Sequence, residues 1–192
     1  MPYVSVTLIE GYSEGVRVRL AERLTDAVAG TLDAPLDAIT VVHNEVKPAS
    51  YMRGRTGRKP GNAQPVAGEL VEKFLRLMED RNLAEAKTFL ADDFVMVFPG
   101  LSGGTEMRSL DDLVAFSATR YRWVKKHIDT IDEAYRGTVT TVIVTGTLYG
   151  EWPDGSSFDN IRFIDRFEIE KGKFRRQQVW NDLAIAIGAR GG

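Results

Sequence analysis

The sequence predicts an α+β protein in two parts: a small βαβ unit, then a larger domain of three helices followed by a curled antiparallel sheet. Three observations carry this. Residues 3–46 read as strand, helix and strand. Residues 53–65 hold Gly, Pro and positive charge with no apolar period. From residue 66 onward helical periods come first and period-two patterns come after, the order expected of a segregated α+β domain. The expected boundaries are 1–52 for the first unit, 53–65 for a basic linker and 66–189 for the second domain.

In the first unit, Val4, Val6 and Leu8 alternate with Tyr3, Ser5 and Thr7, the pattern of a half-buried strand. Gly11 to Gly15 breaks it, and Ser13 is a candidate N-cap followed by Glu14 at the positive helix start. Val16, Leu20, Leu24, Ala27 and Val28 then share one helical face, with Arg17, Arg19, Arg23 and Asp26 largely opposite. Gly30 and Pro35 end the helix, and Ile39 to Val46 is a second strand. A strand–helix–strand unit of this size pairs its strands in parallel. One such unit cannot cover both faces of a two-stranded sheet, so it is expected to oligomerise.

Proline follows the first methionine, and methionine aminopeptidase exposes small residues at that position. An α-amino group has a reference pKa of about 7.7–8, so an exposed terminal Pro2 can act as a base or nucleophile near neutral pH.

The 192 residues are comfortable for two domains, and 43% hydrophobic with 27% charged residues can fill a core. A net charge of −2 argues against a general nucleic-acid binder. No cysteine is present, which excludes disulfides and a thiolate nucleophile, and with two histidines a zinc site would need carboxylates and is not expected. No metal and no cofactor are expected. No apolar run approaches a membrane span and no basic-then-apolar leader opens the chain, so the expectation is a cytoplasmic protein without a membrane partner.

Pro2, the strand ending Leu8-Ile9-Glu10-Gly11, the helix, the stretch Thr31-Leu32-Asp33-Ala34-Pro35-Leu36 and the closing Glu45-Val46 together resemble the 4-oxalocrotonate tautomerase family, over about the first third of the chain. The resemblance implies that the terminal proline moves a proton between carbon and oxygen in enol–keto conversion. It also implies dimers assembled into trimers of dimers, so a homo-oligomer is expected, a hexamer before a dimer. Three positions depart from the family pattern. Tyr12 and Thr40 stand where the best-known members carry arginines, and Tyr51 where they carry a phenylalanine. The resemblance gives those arginines the two carboxylates of a diacid, so their replacement points to a more neutral, aromatic substrate. Tyr12 or Tyr51 then becomes a hydrogen-bond donor to a developing enolate oxygen, or simply packs. Thr40 is a binding candidate, and Arg53 is the candidate for the missing cation.

In the second part, Leu70, Val71, Phe74, Leu75 and Met78 form one helical face. Asn82 starts a short second helix that Ala91-Asp92-Asp93 ends, and Phe94 to Phe98 is a strand. Ser109 caps a third helix, and strands follow at about 123–133, 139–149, 158–169 and 174–182. Trp152-Pro153-Asp154-Gly155 and Glu170-Lys171-Gly172-Lys173 are turns between neighbouring strands. Val71 to Met78, the Leu90 to Phe94 joint, Trp152 to Gly155, Arg162 to Phe167 and Gly172 to Phe174 resemble the cone-shaped domain of ketosteroid isomerase, SnoaL-like cyclases and nuclear transport factor 2. That fold hosts enzymes and binding modules alike.

Asp165 stands in the row Ile161, Phe163, Phe167, Ile169. A carboxylate among apolar neighbours is paired, protonated or at a cavity, so Asp165 is a candidate acid or base, or else the partner of Arg120, Arg122 or Arg176. Trp180 and Asp182 share a face of the last strand and are second candidates, with Tyr121, Trp123 and His127 as aromatic lining. The leading expectation is a tautomerase-type isomerase of an enol or keto compound with Pro2 as base, coupled to the second pocket. The alternatives are catalysis in the second domain on a tautomerase-like assembly platform, and a small-molecule binding protein without chemistry.

Overall fold

The computed structural model describes residues 1–190, which fall into two compact units, Met1–Ala63 and the remainder from Gln64. The first unit contains β1 (Tyr3–Ile9), α1 (Glu14–Ala29) and β2 (Thr40–Val46). The strands pair in parallel, Tyr3 opposite Thr40 and Ile9 opposite Val46. Paired residues share a face, so Val4, Val6 and Leu8 lie with Val41, His43 and Glu45. Helix α1 covers that face, since Arg17 pairs with Glu45 at 3.1 Å. The opposite face carries Tyr3, Ser5 and Thr7 beside Thr40, Val42 and Asn44. No residue from 1 to 63 is fully buried. One helix on two strands leaves the far face open, as the sequence led us to expect.

Ser13 occupies the N-cap of α1 but its side chain makes no capping bond, and Gly30 closes the helix in a right-handed conformation. The stretch read as a plain tether carries a hairpin, β3 (Met52–Arg53) and β4 (Thr56–Gly57). Gly54 and Arg55 between them have φ of +56° and +64°, the pattern of a two-residue type I′ turn. Strands of two residues have no period to read.

The second unit contains α2 (Ala67–Glu79), α3 (Leu83–Lys87), β5 (Leu90–Phe98), β6 (Thr105–Met107), α4 (Leu110–Ser117), β7 (Trp123–Arg136), β8 (Val139–Glu151), β9 (Ser157–Glu170), β10 (Lys173–Asn181) and α5 (Leu183–Arg190). Its six-stranded sheet has the order β6-β5-β10-β9-β8-β7. Strands β7 to β10 form the expected antiparallel meander, but β5 lies parallel to β10, so the sheet is mixed. Leu90 to Asp93, expected to end a helix, belong to β5. Bulges at 128–130, 148–150 and 174–176 bend the sheet. At Gly150 the strands approach so closely that a Cβ would stand 2.2 Å from the Trp123 carbonyl oxygen.

The inner face of this sheet packs on α2. Phe74 meets Phe174 edge-on at 5.1 Å and Phe167 at 6.0 Å, all three fully buried. Asn82 caps α3 by accepting from the Glu85 amide, and Ser109 caps α4 in a reciprocal box with Asp112. No helix among the described residues is long and apolar enough to cross a membrane.

Candidate functional site

The first unit holds a concave site of about 320 Å³ at the C-terminal end of β1, lined by Tyr12, Tyr51, Arg53, Arg58 and Lys59 among others. Backbone chemistry builds it. Gly11 has φ +131°, and a Cβ there would stand 2.9 Å from Pro60 Cγ, so glycine lets the 58–61 segment fold back over the strand end. The Gly61 amide donates to the Tyr12 hydroxyl at 3.0 Å, and the Arg58 amide to the Tyr51 carbonyl at 3.0 Å. Arg17 donates to the Tyr12 carbonyl at 2.8 Å. The Tyr12 hydroxyl keeps its own proton free to donate. Arg53, Arg58 and Lys59 form no ion pair among the described residues. Arg58 and Lys59 were not among the expected site residues, although they sit in a basic stretch.

Pro2 is elsewhere. Its carbonyl accepts from the Thr40 amide at 3.1 Å, at the opposite end of the sheet. Seven residues of β1 span roughly 23 Å. Within one chain, therefore, Pro2 and Thr40 form one cluster and Tyr12, Tyr51 and Arg53 form another.

The second unit encloses a cavity of about 160 Å³ between α2, α4 and the inner face of the sheet. Asp165 lies on its floor, wholly buried, with Val144 and Val179 beside it on the neighbouring strands. Its partner is Lys126, whose Nζ stands 3.3 Å from Oδ2, and none of the arginines considered from sequence. Arg122 instead pairs with Glu151 at 2.7 Å, and Arg120 lies over the Phe116 ring at 4.8 Å. Burial pushes the Asp165 carboxyl above the ordinary carboxylate range, and Lys126, with a smaller contribution from Gln177, opposes that rise. Neither carboxylate oxygen has a well-formed hydrogen bond, and Gln177 Oε1 is also buried without one. Lys126 Nζ also sits 4.1 Å from the Phe163 ring centroid. The Lys126 amide donates to Glu79 Oε1 at 2.8 Å, and Arg76 pairs with the same Glu79.

Lys126 was missed from sequence, yet it carries the signal that exposed Asp165. It interrupts the inward row Val124, Lys126, Ile128 of β7. Tyr121 lines the cavity, and its burial pushes the phenol upward. Trp123 reaches the rim and meets Tyr149 edge-on at 6.0 Å. Trp180 and Asp182 require correction. Strand β10 turns Gln177 and Val179 inward, so Trp180 projects outward, 48% exposed, opposite the exposed Ile164. Asp182 pairs with Arg162 at 2.7 Å outside the cavity. His127 stacks on Tyr149 on the outer face as well. Among the described residues no cluster of His, Cys, Asp or Glu gathers as metal ligands.

Residues 2–57 match the family described as Tautomerase enzyme, and residues 71–177 match the SnoaL-like domain. The chain belongs to the tautomerase family in its first unit and to the SnoaL-like family in its second. A probable tautomerase of Bacillus cereus is 41% identical over 54 residues, 28% of this chain and 88% of that protein. One from Streptococcus mutans is 33% identical over 61 residues, 32% of this chain and all of that protein. Among solved structures, TerC co-crystallised with polyporic acid aligns with a TM-score of 0.54 at 17% identity, over 65% of this chain and 97% of that one. An NTF2-like protein of unknown function from Burkholderia pseudomallei aligns at 0.52 and 19% identity, over 64% and 96%. These structures show the fold. The two family matches together support an isomerase-type function.

Proposed function

We propose that this protein is a keto–enol isomerase that uses Pro2, freed of Met1, as the base on a small acidic enol. The observation that carries the reading is the family match, which begins at Pro2 itself and spans most or all of the length of curated tautomerases. The Pro2 nitrogen takes the enol hydroxyl proton and the conjugate acid returns one to carbon, so the protein is regenerated and no co-reactant is consumed. Tyr12 or Tyr51 donates to the oxygen as negative charge develops on it. Arg53, Arg58 and Lys59 hold a carboxylate. Their unpaired charges favour an acidic substrate over the neutral one that Tyr12 and Thr40 suggest by themselves. The separation of Pro2 from this cluster along β1, and the open face of the sheet, support a homo-oligomer, with a hexamer as the proposed state, in which one copy's Pro2 meets another copy's cations.

A second reading puts proton transfer in the SnoaL-like cavity, with Asp165 as acid or base. The buried carboxylate beside Lys126 favours it. A fold neighbour co-crystallised with polyporic acid is a precedent for a small organic ligand on this fold. Rates of Pro2→Ala and Asp165→Asn on a phenylenolpyruvate separate the two. Loss in Pro2→Ala alone supports the first reading, and loss in Asp165→Asn alone supports the second.

A further inference from the structure

The floor of the second cavity lacks one kind of group. Asp165 Oδ1 and Gln177 Oε1 are buried without a well-formed hydrogen bond, and buried Asp165 Oδ2 has only the Lys126 ammonium, 3.3 Å away and poorly aligned. All three are acceptors. Asp165 is 0% exposed and Gln177 5%, so bulk water does not solvate them. They line the same cavity, and the side chains of Asp165 and Gln177 are close enough to interact. Buried acceptors without donors are costly and mark a place where a donor belongs.

The donor is not a cation. Arg81, Arg120, Lys125 and Lys126 line the cavity, against the carboxylates of Glu79 and Asp165. Glu79 is already engaged by Arg76 and by the Lys126 amide. An ammonium ligand would meet an excess of positive charge, whereas a hydroxyl brings a proton without a charge and can carry a negative charge once that proton leaves. Phe74, Phe98, Leu113, Leu148 and Val179 offer an apolar enclosure for a ring.

We propose that the SnoaL-like cavity binds a small ring compound bearing an acidic hydroxyl, an enol or a phenol, and that Lys126 is the residue that holds its oxyanion. The hydroxyl donates to Asp165. Its O–H bond breaks as the carboxylate gains the proton, and the charge left on the ligand oxygen is met by Lys126 Nζ, which stands 3.3 Å from Asp165 Oδ2 and so within reach of both oxygens. Gln177 Oε1 accepts from a second hydroxyl where the ligand has one. This inference deepens the second reading above. Its readout is binding rather than turnover, so it stands or falls separately from Pro2.

The test uses the full chain with 4-nitrophenol and its methyl ether, 4-nitroanisole, at a pH where the free phenol keeps its proton. Calorimetry gives the affinities and absorbance reports phenolate. The phenol is expected to bind at least about tenfold tighter than the ether, which has lost the donor. A phenolate band is expected on binding, and Lys126→Met and Asp165→Asn are each expected to abolish it. Equal affinity for phenol and ether overturns the proposal, as does binding of neither. A phenolate band that survives Lys126→Met overturns the role of Lys126. The comparison of the two probes uses the unmodified protein, so poor folding of a variant leaves it intact. Pro2→Ala is expected to leave phenol binding unchanged even where it removes isomerase activity.

Discussion

Lys126 Nζ stands 3.3 Å from Asp165 Oδ2, on the floor of a cavity where neither carboxylate oxygen has a well-formed hydrogen bond. Two inward rows, one on β7 and one on β9, each give up an apolar position to make this pair. Buried ion pairs contribute little net stability compared with apolar substitutes, so their presence at a cavity points to use.

Burial raises the folded-state pKa of Asp165 above its unfolded value. The native chain therefore keeps this proton after the unfolded chain has lost it. From the unfolded pKa, about 3.9, up to the raised folded value, this group lowers stability by about 1.4 kcal/mol per pH unit, and above that value its contribution is flat. Asp165→Asn is expected to remove this slope in urea unfolding measured across acidic to neutral pH. The same slope in the variant would show that Asp165 titrates normally.

Lys126 opposes the rise, so Lys126→Met moves the upper end of that pH window higher. Removing one partner of a buried pair costs about 3–5 kcal/mol where the other stays charged, and proton uptake by Asp165 limits the loss. The double variant Lys126→Met with Asp165→Leu is expected to recover most of it. A double variant no more stable than Lys126→Met would mean the pair is not the cause.

Arg53, Arg58 and Lys59 are expected to act on an acidic substrate through charge. Arg53→Ala should raise KM roughly 10- to 100-fold with a smaller change in kcat, as for loss of a charge-assisted bond worth about 1.5–3 kcal/mol. Added salt should raise the wild-type KM in the same direction, since exposed charges are screened. A KM insensitive to both would remove the carboxylate from the account.

Pro2 and Tyr12 lie at opposite ends of β1. If the site joins one copy's Pro2 to another copy's cluster, mixed assemblies of Pro2→Ala and Arg53→Ala chains contain some sites with both residues intact. At substrate concentrations well below KM, co-expression is expected to give more activity than the average of the two variants assembled separately. Light scattering should report an oligomer, with a hexamer predicted. A monomer with full activity would contradict the shared site.

Much of the fold was legible because its elements carry strong periods. Val4, Val6 and Leu8 gave the first strand, and Leu70 to Met78 gave the amphipathic α2. The hairpin at 52–57, the short β6 and the terminal α5 escaped because few residues define them or because their pattern continues a neighbour's. The parallel pairing of β5 with β10 depends on contacts between residues about eighty positions apart, which no local pattern encodes. Asp165 was legible as a polar break in an apolar row. Trp180 and Asp182 were misplaced because alternation reveals which residues share a face and not which face is inside. Arg58 and Lys59 were hidden in a stretch that reads as a solvated tether, until Gly11 let it fold back.

The most direct test of the central claim is the ketonisation rate of a phenylenolpyruvate, measured on chain whose intact mass shows Met1 removed. The account predicts that Pro2→Ala, or retention of Met1, lowers kcat/KM by roughly 10²–10⁴-fold, the usual contribution of a general base, while Asp165→Asn stays near wild type. Full activity in Pro2→Ala, or in chain that keeps Met1, would contradict it.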